Sequence, residues 1–343
     1  METRPLGHTD LRISLITLGT MTWGEQNTEA EAHAQMDRAI AAGVNLFDAA
    51  EMYPVPPRPE TYGLTETFIG TWLKRHGRPD GLMIASKVIG PGAFPYIRGG
   101  PLLKREQVIA ACEASLKRLQ TDVIDLYQVH WPERGTNYFG KLGYIPDERG
   151  STPVEETLRA LADLQAAGKI RHIGISNETP WGLSEYLRLS REAGLPRVVS
   201  VQNPYSLLNR SYEIGLAEFA HRERVGLLAY SPLAFGMLSG KYLGGARPEG
   251  SRWTMMQRNG LFRDTEASSA AIAAYVALAE KHGMSASQLA IAWCDQVDGV
   301  TSTIIGATTM EQLQEDIDAF DIEFNDELKG EVAELVKRFT VPF

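Results

Sequence analysis

The sequence predicts an α/β fold, a closed (β/α)8 TIM barrel, on three observations. Short, mostly apolar runs alternate with amphipathic helical segments along nearly all of the 343 residues. Eight such strand–helix units follow one another without a break in composition, which points to a single domain over 1–343. The open, doubly wound alternative lacks its fingerprint, since no G-x-G-x-x-G opens a helix after a strand.

The elements follow in order. "RPLGHTDLRIS" (4–14) reads as an N-terminal β-hairpin turning at 7–10. The eight barrel strands are "SLITLG" (14–19), "NLFD" (45–48), "LMIASK" (82–87), "DLYQVH" (125–130), "IRHIGIS" (170–176), "VVSVQN" (198–203), "GLLAYS" (226–231) and "STIIG" (302–306). Each is short and apolar enough to be buried on both faces. Between them lie helices such as "EAEAHAQMDRAIAAG" (29–43), "REQVIAACEASLKRLQ" (105–120), "PVEETLRALADLQAAGK" (153–169), "SYEIGLAEFAHRER" (211–224) and "SASQLAIAWCDQ" (285–296). Several end in Gly or a basic residue, as helix C-termini often do. A C-terminal helix, "NDELKGEVAELVKRF" (325–339), follows the last unit. The surplus over the roughly 250 residues of a typical barrel falls mainly in connections at 53–62, 131–152 and 233–264, all on the face where barrels place their active sites.

Composition narrows the function classes. A formal charge of −9, from 34 Lys and Arg against 43 Asp and Glu, argues against general nucleic-acid binding. No apolar stretch approaches the roughly 18 residues of a membrane span, and "METRPLGHTD" has no apolar signal core. Cys112 and Cys294, each within a helical segment, suit buried thiols in a reducing cytoplasm. The seven histidines lack metal-ligand spacing, so no metal site is expected.

Chemistry enters where strands end. Side chains at the C-terminal ends of barrel strands converge on one mouth. The second strand delivers Asp48 and, just beyond it, Tyr53; the third ends at Lys87 and the fourth at His130. A lone strand-end Asp is more often a turn residue, and a lone rim Lys a solvated charge. Four such groups from three consecutive strands are hard to attribute to chance. A Tyr phenol, with pKa near 10, donates a proton poorly at neutral pH. A neighbouring ammonium lowers that pKa, and a carboxylate holds the ammonium. Tyr53 is thereby expected to act as general acid toward a carbonyl that His130 orients.

"FDAAEMYP", "IASK" and "LYQVHWP" resemble the catalytic segments of the aldo-keto reductase superfamily, whose tetrad is Asp, Tyr, Lys and His in this order. The resemblance spans the chain from "GTMTWGEQN" to "IIGATTMEQLQED". It is closest to the bacterial Tas-like NADP(H)-dependent branch, through "AEMYPVPPRPET", "HWPERGTNYFGKLGY" and "VQNPYSLLNRS". One departure is Pro54, where many members carry Gly after the Tyr. The resemblance implies a nicotinamide cofactor, NADPH/NADP+, lying extended across the barrel mouth. It implies that Thr20, Met21 and Asp48 lie at the nicotinamide and its ribose, that Ser176, Asn177 and Gln202 bond the carboxamide, and that Tyr230 stacks on the ring. "SPLAFGMLSGKY" (231–242) falls one residue short of a P-loop, and Tyr242 stands where the magnesium-binding Ser or Thr would be. Its resemblance is instead to the family's diphosphate loop, with Ser231, Leu233, Gly236 and Lys241. "GATTMEQLQED" resembles the adenosine segment, with Gly306, Thr308, Gln312, Glu315 and Asp316; Asp316 stands where Asn is usual. The lysine and arginine that many members use here for a 2′-phosphate are missing, which leaves Arg252 as its expected partner and Lys241 nearer the pyrophosphate.

The expected partner is a small-molecule carbonyl substrate, with a pocket walled by Trp23, Tyr53, His130, Trp131 and the loop "ERGTNYFGKLGYI". Two other readings compete. The aldo-keto-reductase-like β subunits of potassium channels share "SPLA.G..SGKY", which makes a redox-sensing regulatory subunit the alternative. Against it, the hairpin starts at once, leaving no plug peptide, and His130 completes the tetrad. A Schiff-base aldolase using Lys87 is opposed by the adjacent Asp48 and Tyr53.

Overall fold

The computed structural model describes residues 1–139, 141–146, 150–255 and 264–342. Strands β1 (Thr3–Pro5) and β2 (Arg12–Ser14) form the expected antiparallel hairpin, with Arg4 opposite Ile13. Eight parallel strands follow: β3 (Ile16–Gly19), β4 (Leu46–Asp48), β5 (Met83–Val88), β6 (Ile124–Val129), β7 (Ile170–Ser176), β8 (Ser200–Pro204), β9 (Gly226–Tyr230) and β10 (Val300–Ile305). They pair in chain order, and β10 returns to β3 to close the barrel. The first expected strand is shorter at its start than the sequence suggested. Ser14 belongs to the hairpin, where its N–H donates to Asn45 Oδ1 and its Oγ accepts from the Asn45 N–H.

The helices surround this ring: α1 (Glu29–Ala41), α2 (Leu64–His76), α3 (Arg105–Leu119), α4 (Val154–Ala166), α5 (Pro180–Ala193) and α6 (Leu216–Glu223). After β9 come a short α7 (Arg252–Met255), then α8 (Glu266–Lys281) and α9 (Ala286–Asp295). Beyond β10 lie α10 (Met310–Asp318) and the C-terminal α11 (Asp326–Arg338). Their starts have the local chemistry such starts need: Thr28, Thr265 and Ser285 form reciprocal capping boxes, and Thr309 and Asn325 cap through their side chains. On α4, Thr157, Leu158, Leu161 and Leu164 make the buried stripe that a 3.6-residue period demands. "SYEIGLAEFAHRER" is not one helix. A 3₁₀ turn at Ser211–Ile214 gives way to α6 at Gly215, whose φ of −152° is not helical.

Strand alternation sorts the barrel interior into layers, because residues two apart share a face. Leu46, Met83, Ala85, Leu126, Leu228 and Ile304 form an apolar floor with Leu6 and Ile13 of the hairpin beneath. One step further along the same faces stand Asp48, Lys87, Gln128, Gln202 and Tyr230. The site is the next layer of the core. Gly7 seats the hairpin: its φ is +60°, and a Cβ there would lie 2.3 Å from the Val199 carbonyl oxygen. Among the described residues no helix is long and apolar enough to cross a membrane.

Candidate active site

Asp48, at the end of β4, is 3% exposed and held on both oxygens. Its Oδ2 accepts from Lys87 Nζ at 2.6 Å, and its Oδ1 accepts from Gln202 Nε2 at 2.9 Å and Gln128 Nε2 at 3.2 Å. Lys87 is fully buried and also donates to the Ala49 carbonyl at 2.8 Å. Burial alone would lower the Lys87 pKa, but Asp48 and Tyr53 reverse that and raise it. Its ammonium lies 4.9 Å from the centre of the Tyr53 ring, and the Tyr53 and His130 rings meet edge to face at 5.7 Å. The four side chains read from the strand ends therefore do meet.

Their electrostatics differ from expectation in one respect. Burial pushes the Tyr53 phenol above its ordinary value, and the Lys87 ammonium, the strongest opposing influence, does not offset it. The expected net lowering is thus corrected: desolvation of a phenolate outweighs the cation beside it. Tyr53 keeps its proton at neutral pH. Burial and then Lys87 hold His130 well below the usual histidine range, so the imidazole is neutral. Its Nδ1 is buried without a hydrogen-bond partner among the described residues.

These groups lie at one end of a cavity of about 1180 Å³, larger than the ~300–1,000 Å³ of most ligand pockets. Thr20 and Met21 border it beside Asp48; Thr20 Oγ1 donates to the Asp48 carbonyl at 2.9 Å. Ser176, Asn177, Gln202 and Tyr230 border it from β7, β8 and β9. They are already linked: Ser176 Oγ donates to the Gln202 carbonyl, and Tyr230 Oη donates to Asn177 Oδ1 at 2.6 Å. The segment after β9 crosses the opening, with Ser231, Leu233, Gly236, Lys241 and Arg252 on the cavity side. In it Ser231, Ala234 and Phe235 hold φ of 56°, 46° and 61°, a left-handed run that costs L-residues about 1–2 kcal/mol each. The Arg252 guanidinium stands 4.5 Å over the Phe235 ring, and its charge reaches Tyr53. Gly306, Thr308, Gln312, Glu315 and Asp316 border the far end. The rest of the connection, 256–263, lies outside the described residues.

The aromatic wall needs revision. Trp131, Tyr138 and Phe139 border the cavity as expected. Trp23 does not: it is fully buried in the core, where its Nε1 donates to Gln35 Oε1 at 2.9 Å. The pull of that amide on α1 takes the indole away from the opening. Leu142, Tyr144 and Ile145 of the same loop face solvent, and Gly140 and 147–149 lie outside the described residues. Two contributors were missed. The connection from β5 to α3 brings Pro91, Gly92 and Phe94 to the cavity, and its length and Gly/Pro content in "GPGAFPYIRGGP" were the available signal. Gln128, two residues before His130 on the same strand face, was legible by alternation alone. Among the described residues His282, Glu327 and Glu331 could together hold a metal ion on the surface, but the Lys281 ammonium already pairs with both glutamates.

A sequence profile of the Aldo/keto reductase family matches residues 15–337, nearly the whole chain that builds this barrel and its mouth. The chain belongs to the aldo/keto reductase family. Its similarity to individual members is also full-length. It is 51% identical over 345 residues to Protein tas of Escherichia coli (strain K12), covering 100% of this chain and 99% of that one, and equally to Protein tas of Shigella flexneri. It is 32% identical over 337 residues to Uncharacterized oxidoreductase YrpG of Bacillus subtilis (strain 168), covering 96% and 94%. As an aldo/keto reductase the protein is an oxidoreductase, in a family that uses nicotinamide cofactors. Its cavity suits such a group: it exceeds a single small-molecule site and runs from the Asp48–Tyr53–His130 end to α10, with polar side chains among those that line it.

Proposed function

We propose that the protein reduces aldehyde or ketone carbonyls to alcohols with NADPH, Tyr53 serving as general acid. One observation carries this reading: a partly buried phenol that keeps its proton sits between an anchored ammonium and a neutral imidazole, at the apolar-walled end of a large cavity. The bound dinucleotide supplies the hydride. The protein's residues do the remainder. Tyr53 donates its proton to the carbonyl oxygen as negative charge builds there, and the Lys87 ammonium stabilises the phenolate left behind. Asp48 keeps Lys87 charged and in place, while Gln128 and Gln202 fix the Asp48 rotamer. A neutral His130 offers the carbonyl oxygen a hydrogen bond without competing as an acid. Trp131, Phe94 and Phe139 exclude water around the reacting carbon.

Thr20, Met21, Ser176, Asn177, Gln202 and Tyr230 would hold the nicotinamide end of the cofactor, and Ser231, Leu233 and Gly236 the diphosphate. Lys241 and Arg252 are the lysine and arginine that border the cavity among the described residues. A phosphate left unpaired in a partly desolvated cleft is costly, so we assign Arg252 to the 2′-phosphate and Lys241 to the pyrophosphate. Following NADPH oxidation over a panel of aldehydes, ketones and quinones tests the reaction. Tyr53→Phe should lower turnover about 10²–10⁴-fold with dinucleotide affinity nearly unchanged; wild-type turnover in that variant would remove Tyr53 from the chemistry. Arg252→Ala should raise KM for NADPH far more than for NADH, and equal losses would mean that Arg252 does not read the 2′-phosphate.

A further inference from the structure

Six carboxylic side chains are buried among the described residues, and five have a cation. Asp48 has Lys87, Glu51 has Arg98, Glu66 has Arg118, Asp125 has Arg78 and Arg171, and Glu178 has Arg134. Asp316 is the sixth. It is 3% exposed, borders the far end of the cavity, and has neither an ion pair nor a hydrogen bond among the described residues. An isolated buried carboxylate is strongly disfavoured, and such a group neutralises instead. Burial and then the negative Glu315 beside it push the Asp316 carboxyl well above the usual range.

Among the described residues nothing nearby reverses this. Glu315, its neighbour on α10, is the charge that acts on it. At the start of α9 Ser285 and Ser287 border the same space, and Gln26 does so from the connection after β3; none of the three titrates. Arg38 of α1 and Asp318 both bond Gln314, on the opposite face of α10. Lys241 and Arg252, of the segment after β9, border the cavity too, but neither is among the charges that act on Asp316.

A neutral carboxyl presents one O–H donor beside one carbonyl acceptor, whereas a carboxylate only accepts. The complement of the neutral form is a flat edge with a ring nitrogen next to an amino group. Adenine has that edge. Guanine instead offers two adjacent N–H donors, which suit the ionised form. We propose that Asp316 recognises the adenine of the dinucleotide as a carboxylic acid, donating to a ring nitrogen and accepting from the 6-amino group. This rests on the dinucleotide reading above, in which the resemblance already puts adenosine at this segment, and adds to it the protonation state in which Asp316 acts. It also makes cofactor binding a proton-dependent step, because ionised Asp316 loses its donor and turns a lone pair toward the ring nitrogen.

The test is a fluorescence titration of NADPH and NADH onto the protein from pH 5.5 to 9, comparing wild type with Asp316→Asn. The amide has the same donor and acceptor at every pH. The two proteins should bind alike at low pH, within about threefold. As pH rises through the Asp316 pKa, wild-type affinity should fall by up to about tenfold per pH unit relative to Asp316→Asn, as linkage to one proton requires. Taking the ratio at each pH cancels titration of the cofactor itself. Nicotinamide guanine dinucleotide should show the reverse trend, gaining on its adenine counterpart as pH rises. A wild-type to Asp316→Asn ratio that does not change with pH overturns the proposal while leaving the dinucleotide reading intact. Failure of wild type to bind either NADPH or NADH at any pH overturns the dinucleotide reading itself.

Discussion

At the scale of residues, the site turns on how one carboxylate is gripped. Asp48 accepts from three buried donors on three other strands, so the Lys87 ammonium is held from below rather than by solvent. Removing that ammonium takes away the strongest influence that lowers the Tyr53 pKa. Lys87→Met should therefore shift the pKa governing the pH–rate profile upward and slow the reaction, whereas Asp48→Asn should slow it by loosening Lys87 without that upward shift, because the Asp48 charge itself raises the Tyr53 pKa. A Lys87→Met enzyme with the wild-type profile would show that the ammonium does not tune the phenol. The four reacting side chains were legible because strand ends and order locate them. The sign of the Tyr53 shift was not, because it depends on the depth of burial, which no local pattern encodes. Trp23 failed for a related reason: its partner Gln35 lies 12 residues away on α1, and only the packed structure brings them together.

At the scale of elements, Glu51 joins three segments around the mouth. Its Oε1 accepts from the Ile89 N–H at 2.8 Å and from Arg98 Nη2 at 3.0 Å, and its backbone N–H donates to the Lys87 carbonyl. The connection carrying Tyr53 is so tied to the end of β5 and to the β5–α3 connection that walls the cavity. Glu51→Ala leaves Arg98 without its counter-charge in a largely buried place, and should cost about 3–5 kcal/mol in chemical denaturation. Replacing Arg98 as well, by Met, should recover much of that loss; a double variant no more stable than Glu51→Ala would mean that the pair is not the source. Gly7→Ala should destabilise by at least about 1–3 kcal/mol through its left-handed backbone alone, with the Val199 contact in addition. Regular elements were the most legible part of the chain. "IRHIGIS" coincides with β7, since its period and boundaries are local. The left-handed run at Ser231, Ala234 and Phe235 was hidden, because none of these three is a residue that favours a positive φ.

At the scale of the whole molecule, Asp316 costs stability for the same reason that it could serve recognition. Its folded pKa lies above the unfolded one, so the native state binds more protons in the interval between them. Stability from this group is greatest below the unfolded pKa and falls as pH rises toward the folded value. Asp316→Asn should thus melt higher than wild type at pH 8 and by little or nothing at pH 4; an equal gain at both would assign the effect to something other than ionisation. The hairpin sets a different global property. With Leu6 and Ile13 closing the floor, the barrel is a vessel with a single neck. The groups assigned to the nicotinamide stand on the strand ends, deep in that vessel, whereas Phe94, Tyr138 and Phe139 hang from connections above them. Whatever rests at the bottom must then be loaded first and unloaded last, and the carbonyl compound caps it. Traffic through one opening becomes a queue. In steady-state product inhibition, the oxidised dinucleotide should compete with the reduced one and be noncompetitive toward the carbonyl, and a random-order pattern would mean that the two can pass each other in the neck.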